Sequence, residues 1–517
     1  MPCSVYSPPV HDRRLGRIWL AATLLQVALL LFFAAQYSFL IDGQRCWGVS
    51  DDIYISACYA RNIAHGAGAV WYPGAAPVEG FSNPLWTLLL ALVHALPFFR
   101  EEQLGLYVLA LQLVLAGGIA ALAGSILRRL LARGASVELG RGRALALFVL
   151  SLSFGTLAFW MAEGFEVGLV LLLGLVALRL ALRDPFGTRE ALGLGLCAGL
   201  ALWTRMDGVL ACAPAALLVT LERRWRPGML GAAALAFGLP AAALFLVRHA
   251  VYGEWLPNTY YLKLAGWPLG DRLRQGIGID WNMLPGLAVC WFGLGSRALR
   301  GRLGPLCRPV LALLASATLL VVYSIHNGGD SWGPWLGYDR FTAPAALFLG
   351  LALALALLRL PGRAVVAAAL VAAFAALALD PHLGDLVRLV DGRMRRNEPS
   401  FAAFGRVLEQ CSLPEAKVAL GPAGAIVYFS HRGAFDSLGK CDAWVARQPV
   451  NSPGLSSGHN KRYFDAIFER EDPEFAFREP PPRFRARYVK CLHGEQTLWV
   501  RRDAPNALWD KLQKVGE

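Results

Sequence analysis

The sequence predicts an all-α, polytopic membrane bundle with a small α/β domain at its C-terminal end. Hydrophobic residues make up 56% of the 517 residues and charged residues only 17%, whereas a soluble domain has about 25% charged residues. The apolar residues also occur in long runs, and the composition changes abruptly after residue 380. These observations exclude a soluble globular enzyme, a disordered chain and a fibrous repeat.

The basic residues predict how the chain is oriented. There are 50 Lys and Arg against 37 Asp and Glu, a formal net charge of +13. The Arg residues cluster between apolar runs, for example at 13–17, 128–143 and 223–226. Short Arg-rich loops stay on the cytoplasmic side of a membrane, so topology explains the surplus charge and nucleic acid is not an expected partner. We expect an inner (plasma) membrane protein with a cytoplasmic N-terminus and a periplasmic C-terminal domain.

The first apolar run covers residues 18–40, and its length favours a retained transmembrane helix over a cleaved secretory signal. Residues 41–83 then form the first periplasmic loop. Residues 84–127 must cross an odd number of times but contain two apolar runs, so one run is re-entrant, interfacial or broken. The sequence therefore predicts 11 or 13 crossings. The other runs lie at about 143–161, 165–182, 190–204, 209–221, 229–247, 280–296, 307–324, 341–358 and 363–379.

The C-terminal region has a different pattern from residue 381 onward. Prolines, charges and short alternating segments appear, and residues 486–492 followed by 497–501 are typical of a strand pair. The sequence thus predicts a transmembrane domain of residues 1–380 and a periplasmic α/β domain of residues 381–517.

Two adjacent carboxylates, Asp51 and Asp52, follow the first membrane helix, where charge is costly to place near lipid. If a short helix follows them, either one can accept hydrogen bonds from its free N–H groups. A carboxylate can also take the proton of an attacking hydroxyl or stabilise an oxocarbenium-like centre. Neighbouring residues point in different directions, so we expect one Asp to act and the other to orient or cap.

Further polar side chains fall on the same predicted side of the membrane. Arg and Lys gathered there would bind a lipid phosphate, because Arg makes bidentate contacts with phosphate. The predicted ligands of a donor phosphate or its sugar are Arg205, Arg248, Tyr260, Lys263, Asp330 and Arg340. The predicted ligands of an acceptor or sugar are Glu79, Asn83, Glu166, Asn258, His326, His459 and Lys461.

Segments 51–62 and 79–86 resemble the opening of bacterial GT-C glycosyltransferases. Segments 257–263 and 328–341 are similar to the arabinofuranosyltransferase branch, which contains the terminal β-arabinofuranosyltransferase of actinobacterial cell walls, and segments 436–439 and 458–461 are similar to it as well. The resemblance implies a GT-C fold, a polyprenyl-phosphate donor, typically decaprenyl-phosphate arabinofuranose, and Asp51 as the catalytic carboxylate. The tail is shorter than in the cell-wall enzymes, so the implied acceptor is a cell-envelope glycan or a pilin-like protein.

A lipid-linked donor carries its own phosphate leaving group, so the sequence favours a reaction that needs no metal or other cofactor. No cluster of His and carboxylates has clear ligand spacing, although Asp51 and Asp330 could share a divalent cation. Two other functions stay open. One is a GT-C transferase that uses another lipid-linked sugar, such as mannose. The other is a transporter or flippase of lipid-linked sugar, which would need ionisable residues near the bilayer midplane.

Overall fold

The structure is a computed structural model that describes residues 13–133, 155–281, 283–330, 339–359, 397–453 and 455–515. Its larger part is helical. The helices of this part are α1 (Arg13–Ala35), α2 (Asp51–Ala64), α3 (Pro84–His94), α4 (Leu104–Ala132), α5 (Gly155–Ala162), α6 (Val167–Ala181), α7 (Thr188–Thr204), α8 (Ala213–Leu221), α9 (Pro227–Tyr252), α10 (Asn258–Leu264), α11 (Leu269–Asp280), α12 (Met283–Gly295), α13 (Arg297–Leu303), α14 (Cys307–His326) and α15 (Ala343–Leu357).

Several helices are suited to a membrane. Within the described ranges, four helical stretches are long and apolar enough to cross one: Gly16–Ala35, Glu101–Ala132, Pro227–Tyr252 and Arg297–His326. The bent pair α11 and α12 would add a fifth if both halves belong to one crossing. Shorter apolar helices fill the bundle between them. The total of 11 or 13 crossings stays a prediction, because residues 134–154 and 360–396 lie outside the described residues.

Residues 84–127, which must cross the membrane an odd number of times but contain two apolar runs, form one short and one long helix. Helix α3 has 11 residues, which is about 16 Å of helix at 1.5 Å per residue and too short for the ~30 Å hydrocarbon core. Helix α4 has 29 residues and is long enough. This favours a single crossing between residues 84 and 127, made by α4.

The first loop is folded against the bundle. It starts with an antiparallel hairpin of β1 (Ser38–Ile41) and β2 (Gln44–Trp47) and continues into α2, which is buried along most of its length. Helix α3 is fixed by Trp86, whose indole N–H donates to the carbonyl of Gly164 at 3.0 Å. The first turn of α2 contains Asp51 and Asp52, where the helix dipole favours negative charge.

The C-terminal unit confirms the predicted α/β architecture. Its six-stranded sheet has the order β4-β3-β5-β7-β6-β8, and the predicted strand pair is the antiparallel ladder of β6 and β7. The strands are β3 (Lys417–Leu420), β4 (Gly433–Asp436), β5 (Phe475–Ala476), β6 (Tyr488–His493), β7 (Gln496–Arg501) and β8 (Gln513–Lys514). The helices are α16 (Glu398–Gln410), α17 (Ala425–Ser430), α18 (Ala443–Arg447) and α19 (Phe464–Glu471).

The C-terminal unit packs directly on the first loop. The indole N–H of Trp71 donates to the carbonyl of Ala423 at 3.0 Å, and the guanidinium of Arg61 donates to the carbonyl of Tyr428 at 2.6 Å. Helix α2 is therefore enclosed between the bundle and the C-terminal unit. Its acidic first turn lies at the boundary between them.

Candidate active site at the junction of the bundle and the C-terminal unit

The carboxylate of Asp52 lies between cations from two parts of the chain. The ammonium of Lys440, in the C-terminal unit, forms an ion pair with Oδ1. On the bundle side, Nη1 of Arg340 lies 3.7 Å from Oδ2. Arg340 also contacts the buried carboxylate of Asp330, with Nε 3.1 Å from Oδ2. Lys440, Asp52, Arg340 and Asp330 thus form a chain of alternating charges, which we call the Asp52 cluster.

Lys263, near the end of α10, borders this cluster. Its Nζ lies 5.3 Å from the centre of the Phe341 ring, and within the described part of the chain it makes no hydrogen bond or ion pair. Its Cε lies 3.9 Å from the position that a Cβ would take at Gly458, so the loop that carries His459 is its neighbour. The carboxylate of Asp339 also belongs to this group, because it accepts a hydrogen bond from the backbone N–H of Asp330 at 3.1 Å. The cations Lys263, Arg340 and Lys440 are thus matched in number by Asp52, Asp330 and Asp339. The ammonium of Lys263, which has no partner among the described residues, is the group that can bind an anionic ligand.

The proton affinities follow from burial and from these charges. Burial disfavours the ionised form of Asp52, but the positive charges of Lys440 and Arg340 outweigh it and hold the pKa of Asp52 below its usual range. Burial, assisted by the nearby charge of Arg340, lowers the pKa of Lys263 to about 8. Burial and the charge of Lys440 lower the pKa of His459 to about 4. The site at pH 7 thus contains an ionised Asp52, a neutral His459 and a largely protonated Lys263.

Asp51 is placed differently from its neighbour. Its Oδ1 accepts a hydrogen bond from the backbone N–H of Ala425, the first residue of α17, at 2.8 Å. A Cβ at Gly424 would lie 1.8 Å from the carbonyl oxygen of Asp51, so the approach requires glycine at that position. Burial raises the pKa of Asp51 to about 7, and no ion pair of Asp51 exists among the residues that the structure covers. The contacts therefore place Asp51 at the start of α17 and Asp52 in the cationic cluster. Within the described residues neither side chain caps α2 itself, which was the capping role predicted from the sequence.

A second network adjoins the first through Phe341. Arg205 donates to both carboxylate oxygens of Asp207, at 3.0 and 2.9 Å, and lies 3.4 Å from Glu166. The amide of Asn83 donates to the other oxygen of Glu166 at 2.8 Å. The Arg205 guanidinium lies over the ring of Phe341, 4.5 Å from its centre. Three predicted ligands, Arg205, Glu166 and Asn83, are thus brought together beside the Asp52 cluster.

The predicted residues Glu79, Arg248, Asn258 and Lys461 make contacts that join parts of the fold. Arg248 and Glu79 form a buried bidentate ion pair, with side chains 2% and 4% exposed. The amide of Asn258 donates to the carbonyl of Lys440 at 2.9 Å. The ammonium of Lys461 is fully buried and donates to backbone carbonyls of α10 and α18. These residues fix α9 and α10 to the first loop and to the C-terminal unit.

Two predicted ligands lie apart from the cluster. The side chain of Tyr260 is 41% exposed and packs edge to face on Tyr261. His326, the last residue of α14, is also exposed. Neither side chain contacts the Asp52 cluster.

Sequence reasoning missed Lys440, although the segment just before it carried a signal. Asp436 accepts backbone hydrogen bonds from Leu438 at 2.9 Å and from Cys441 at 2.8 Å. Gly439 has φ of +86°, a conformation that side chains rarely adopt. The turn that Asp436 organises and Gly439 ends therefore fixes the position of the next residue, Lys440.

The described residues contain no group of three or more His, Cys, Asp or Glu side chains arranged to hold a metal ion. An apolar cavity does occur in the bundle, between α1, α4, α5 and α15, lined among others by Trp19, Ile119, Met161 and Leu347. Helix α15, which lines part of this cavity, begins three residues after Arg340.

Comparisons with known proteins support this architecture. Residues 389–511 match a family described as a domain of unknown function, DUF8728. A comparison with the curated proteins gives no match. The crystal structure of ArnT from Cupriavidus metallidurans bound to undecaprenyl phosphate is similar, with a TM-score of 0.54 at 13% sequence identity, over 95% of this chain and 99% of that chain. The chain is therefore a multi-pass membrane protein with the GT-C fold and a small α/β unit at its C-terminal end.

Proposed function

We propose that the chain is an integral-membrane glycosyltransferase that moves a pentose, arabinofuranose, from a polyprenyl-phosphate donor to a cell-envelope glycan or pilin-like protein on the periplasmic side. The observation that carries this proposal is the Asp52 cluster together with Lys263. The Asp52 carboxylate lies between Lys440 and Arg340, and the neighbouring Lys263 ammonium has no partner among the described residues. The similar ArnT structure has undecaprenyl phosphate bound, so its fold accommodates a lipid phosphate of the kind proposed here.

The cluster suits the phosphate of such a donor. Lys263 has unused hydrogen-bond donors within the described region, and Arg340 lies between two carboxylates with its guanidinium 4.6 Å from the centre of the Phe165 ring. Arginine and lysine beside aromatic rings bind phosphate in an environment of low dielectric constant, where each contact is stronger than in water.

In the proposed reaction, an acceptor hydroxyl oxygen bonds to the anomeric carbon of the donor sugar. The bond between that carbon and the phosphate oxygen breaks, and its electron pair leaves with the polyprenyl phosphate. Asp52 takes the hydroxyl proton, and Arg340 and Lys263 stabilise the charge that develops on the leaving phosphate.

Asp52 is a weak base in the free site, because Lys440 and Arg340 hold its pKa low. A donor phosphate bound at Arg340 and Lys263 adds negative charge next to Asp52 and offsets these cations. A nearby like charge raises the pKa of a carboxylate. Asp52 would therefore become a competent base when the donor is in place, which couples proton removal to donor binding.

The test is transfer of label from decaprenyl-phosphate [¹⁴C]arabinofuranose by the purified protein in nanodiscs, with an envelope fraction from cells lacking the chain as acceptor. We expect label in the envelope fraction, unlabelled polyprenyl-phosphate mannose to compete weakly, and EDTA to leave the rate unchanged. Movement of the donor across liposomes without transfer would instead favour a flippase. Loss of transfer in EDTA, restored by a divalent cation, would contradict the proposal that no metal is needed.

A further inference from the structure

The C-terminal unit contributes a charged side chain to the Asp52 cluster. Lys440 is separated from Asp52 by 388 positions along the chain, and its side chain is 13% exposed. Its backbone is held by Asn258, whose side-chain amide donates hydrogen bonds to the carbonyls of both Gly439 and Lys440 at 2.9 Å. The backbone of Lys440 is thus held both by Asn258 of the bundle and by the turn that Asp436 organises.

We propose that Lys440 is a positioning residue of the transferase site: through it, the C-terminal unit keeps the Asp52 carboxylate oriented toward the bound donor. The inference rests on the proposed function and deepens it. It makes the C-terminal unit a part of the site rather than an appended domain.

Arg340 is shared between two carboxylates, whereas Lys440 pairs with Asp52. Nη1 of Arg340 lies 3.7 Å from Oδ2 of Asp52, whereas its Nε lies 3.1 Å from Oδ2 of Asp330. The ion pair of Arg340 with Asp52 is therefore the weaker of the two. A donor phosphate would compete for Arg340 as well. Lys440 pairs with Asp52 from the opposite domain, and it is the partner that remains when the phosphate engages Arg340.

The same unit also holds the neighbouring carboxylate. The N–H of Ala425 donates to Oδ1 of Asp51 at 2.8 Å, so both acidic residues in the first turn of α2 are fixed by the C-terminal unit. A helix turn held at two successive side chains cannot rotate about its axis. The direction of the Asp52 carboxylate is therefore set by the docked unit.

Contacts other than that of Lys440 also hold the C-terminal unit in place. Trp71 and Arg61 bond to carbonyls of the unit at 3.0 and 2.6 Å, and the buried Lys461 joins the unit to α10. A change at Lys440 should leave these contacts in place. Its effect on the chemistry can therefore be separated from an effect on the association of the two parts.

The experiment compares Lys440→Met, Lys440→Arg and the control Lys490→Met, an exposed lysine on β6 of the same unit, in the labelled transfer assay across pH. For Lys440→Met we expect kcat to fall about 100-fold, the cost of misplacing a reacting group by about 1 Å, because Asp52 loses the contact that orients it. The acid limb of its pH profile should move upward by about 1–3 pH units, because an opposite charge beside a carboxylate is lost. Lys440→Arg should restore most of the rate and the acid limb, and Lys490→Met should match the wild type.

The outcomes separate the inference from the proposed function. A wild type that transfers no pentose would reject the proposed function and the inference with it. If the wild type transfers pentose while a folded Lys440→Met has the same kcat and acid limb, only the inference is overturned. A loss of rate that tracks a loss of folded protein, with an unchanged acid limb, would overturn it too. Should Lys440→Met fold poorly, Lys440→Gln keeps a polar partner for Asp52 and carries the same expectation for the acid limb.

Discussion

The adjacent residues Asp51 and Asp52 allow a matched test of which carboxylate acts. Asp52→Asn removes the charge between Lys440 and Arg340. Asp51→Asn keeps an oxygen that can accept the N–H of Ala425. The two changes are equally conservative and lie one position apart, so a difference between them reflects the surroundings of each side chain.

The contacts give the expected size of each effect. Loss of a general base lowers the rate by about 10²- to 10⁴-fold, or about 2.7–5.4 kcal/mol of barrier, so Asp52→Asn should reduce kcat within that range. Asp52→Asn also leaves Lys440 without its carboxylate, at 13% exposure, and breaking a largely buried pair costs about 3 kcal/mol or more of stability. Asp51→Asn exchanges one hydrogen-bond acceptor for another, a change of about 1 kcal/mol, and should lower the rate by less than about tenfold.

The assay measures initial rates of [¹⁴C]arabinofuranose transfer for both variants, each normalised to the fraction of protein that is folded by thermal unfolding in nanodiscs. The reasoning predicts a severe loss for Asp52→Asn and a mild one for Asp51→Asn. The reverse order would refute it, and would indicate that Asp51, with its pKa of about 7, is the base as the family resemblance implies. Equal, severe losses in well-folded proteins would show that the capping contact of Asp51 is itself needed for catalysis.

Three further predictions follow from other charged groups. Lys263 has a pKa of about 8 because of burial and the charge of Arg340, so kcat/KM for the donor should fall as pH rises above about 8, whereas Lys263→Arg should stay flat to pH 9 because arginine stays protonated. Burial opposes protonation of His431, but carboxylates including Glu101, 2.9 Å away, raise its pKa. The stability that protonated His431 adds should be complete below about pH 6.5 and should be lost as pH rises through the raised pKa. Thermal unfolding of His431→Gln should not show this loss. Glu79→Gln should destabilise the protein by about 3–5 kcal/mol, because it leaves the buried Arg248 unpaired. The double variant Glu79→Gln/Arg248→Met should recover part of that loss in the same unfolding measurement.

Much of the site follows from sequence because residue type decides where a charge can lie. Acidic and basic side chains between apolar runs have to collect at the ends of helices, where water or an opposite charge can solvate them. Predictions based on this rule placed Asp52, Lys263, Asp330 and Arg340 on one side, and the structure brings these four together. The strand pair of the C-terminal unit follows in the same way, from a two-residue alternation bounded by polar turns.

The pairing among these charges could not be read from the sequence. Arg248 and Arg340 were both predicted to bind the donor phosphate, yet Arg248 forms an ion pair with Glu79, which lies 169 positions away. Lys440 lies in a region whose pattern indicates only a soluble domain, and its partner is in the first loop. Which carboxylate meets which cation depends on contacts between distant segments, and residue types alone leave many combinations equally favourable.

The balance of charge around each arginine indicates where an anionic ligand would bind. Arg248 is matched by one carboxylate in a buried bidentate pair, so adding a phosphate there would require breaking a pair whose loss is costly. Arg205 faces two carboxylates, Asp207 and Glu166, and would repel a further anion. Arg340 differs because a neighbouring lysine, Lys263, makes no hydrogen bond or ion pair within the described residues and can donate to an added phosphate. A lipid phosphate should therefore bind at Arg340 and Lys263, beside the one carboxylate of the first loop that faces the same space.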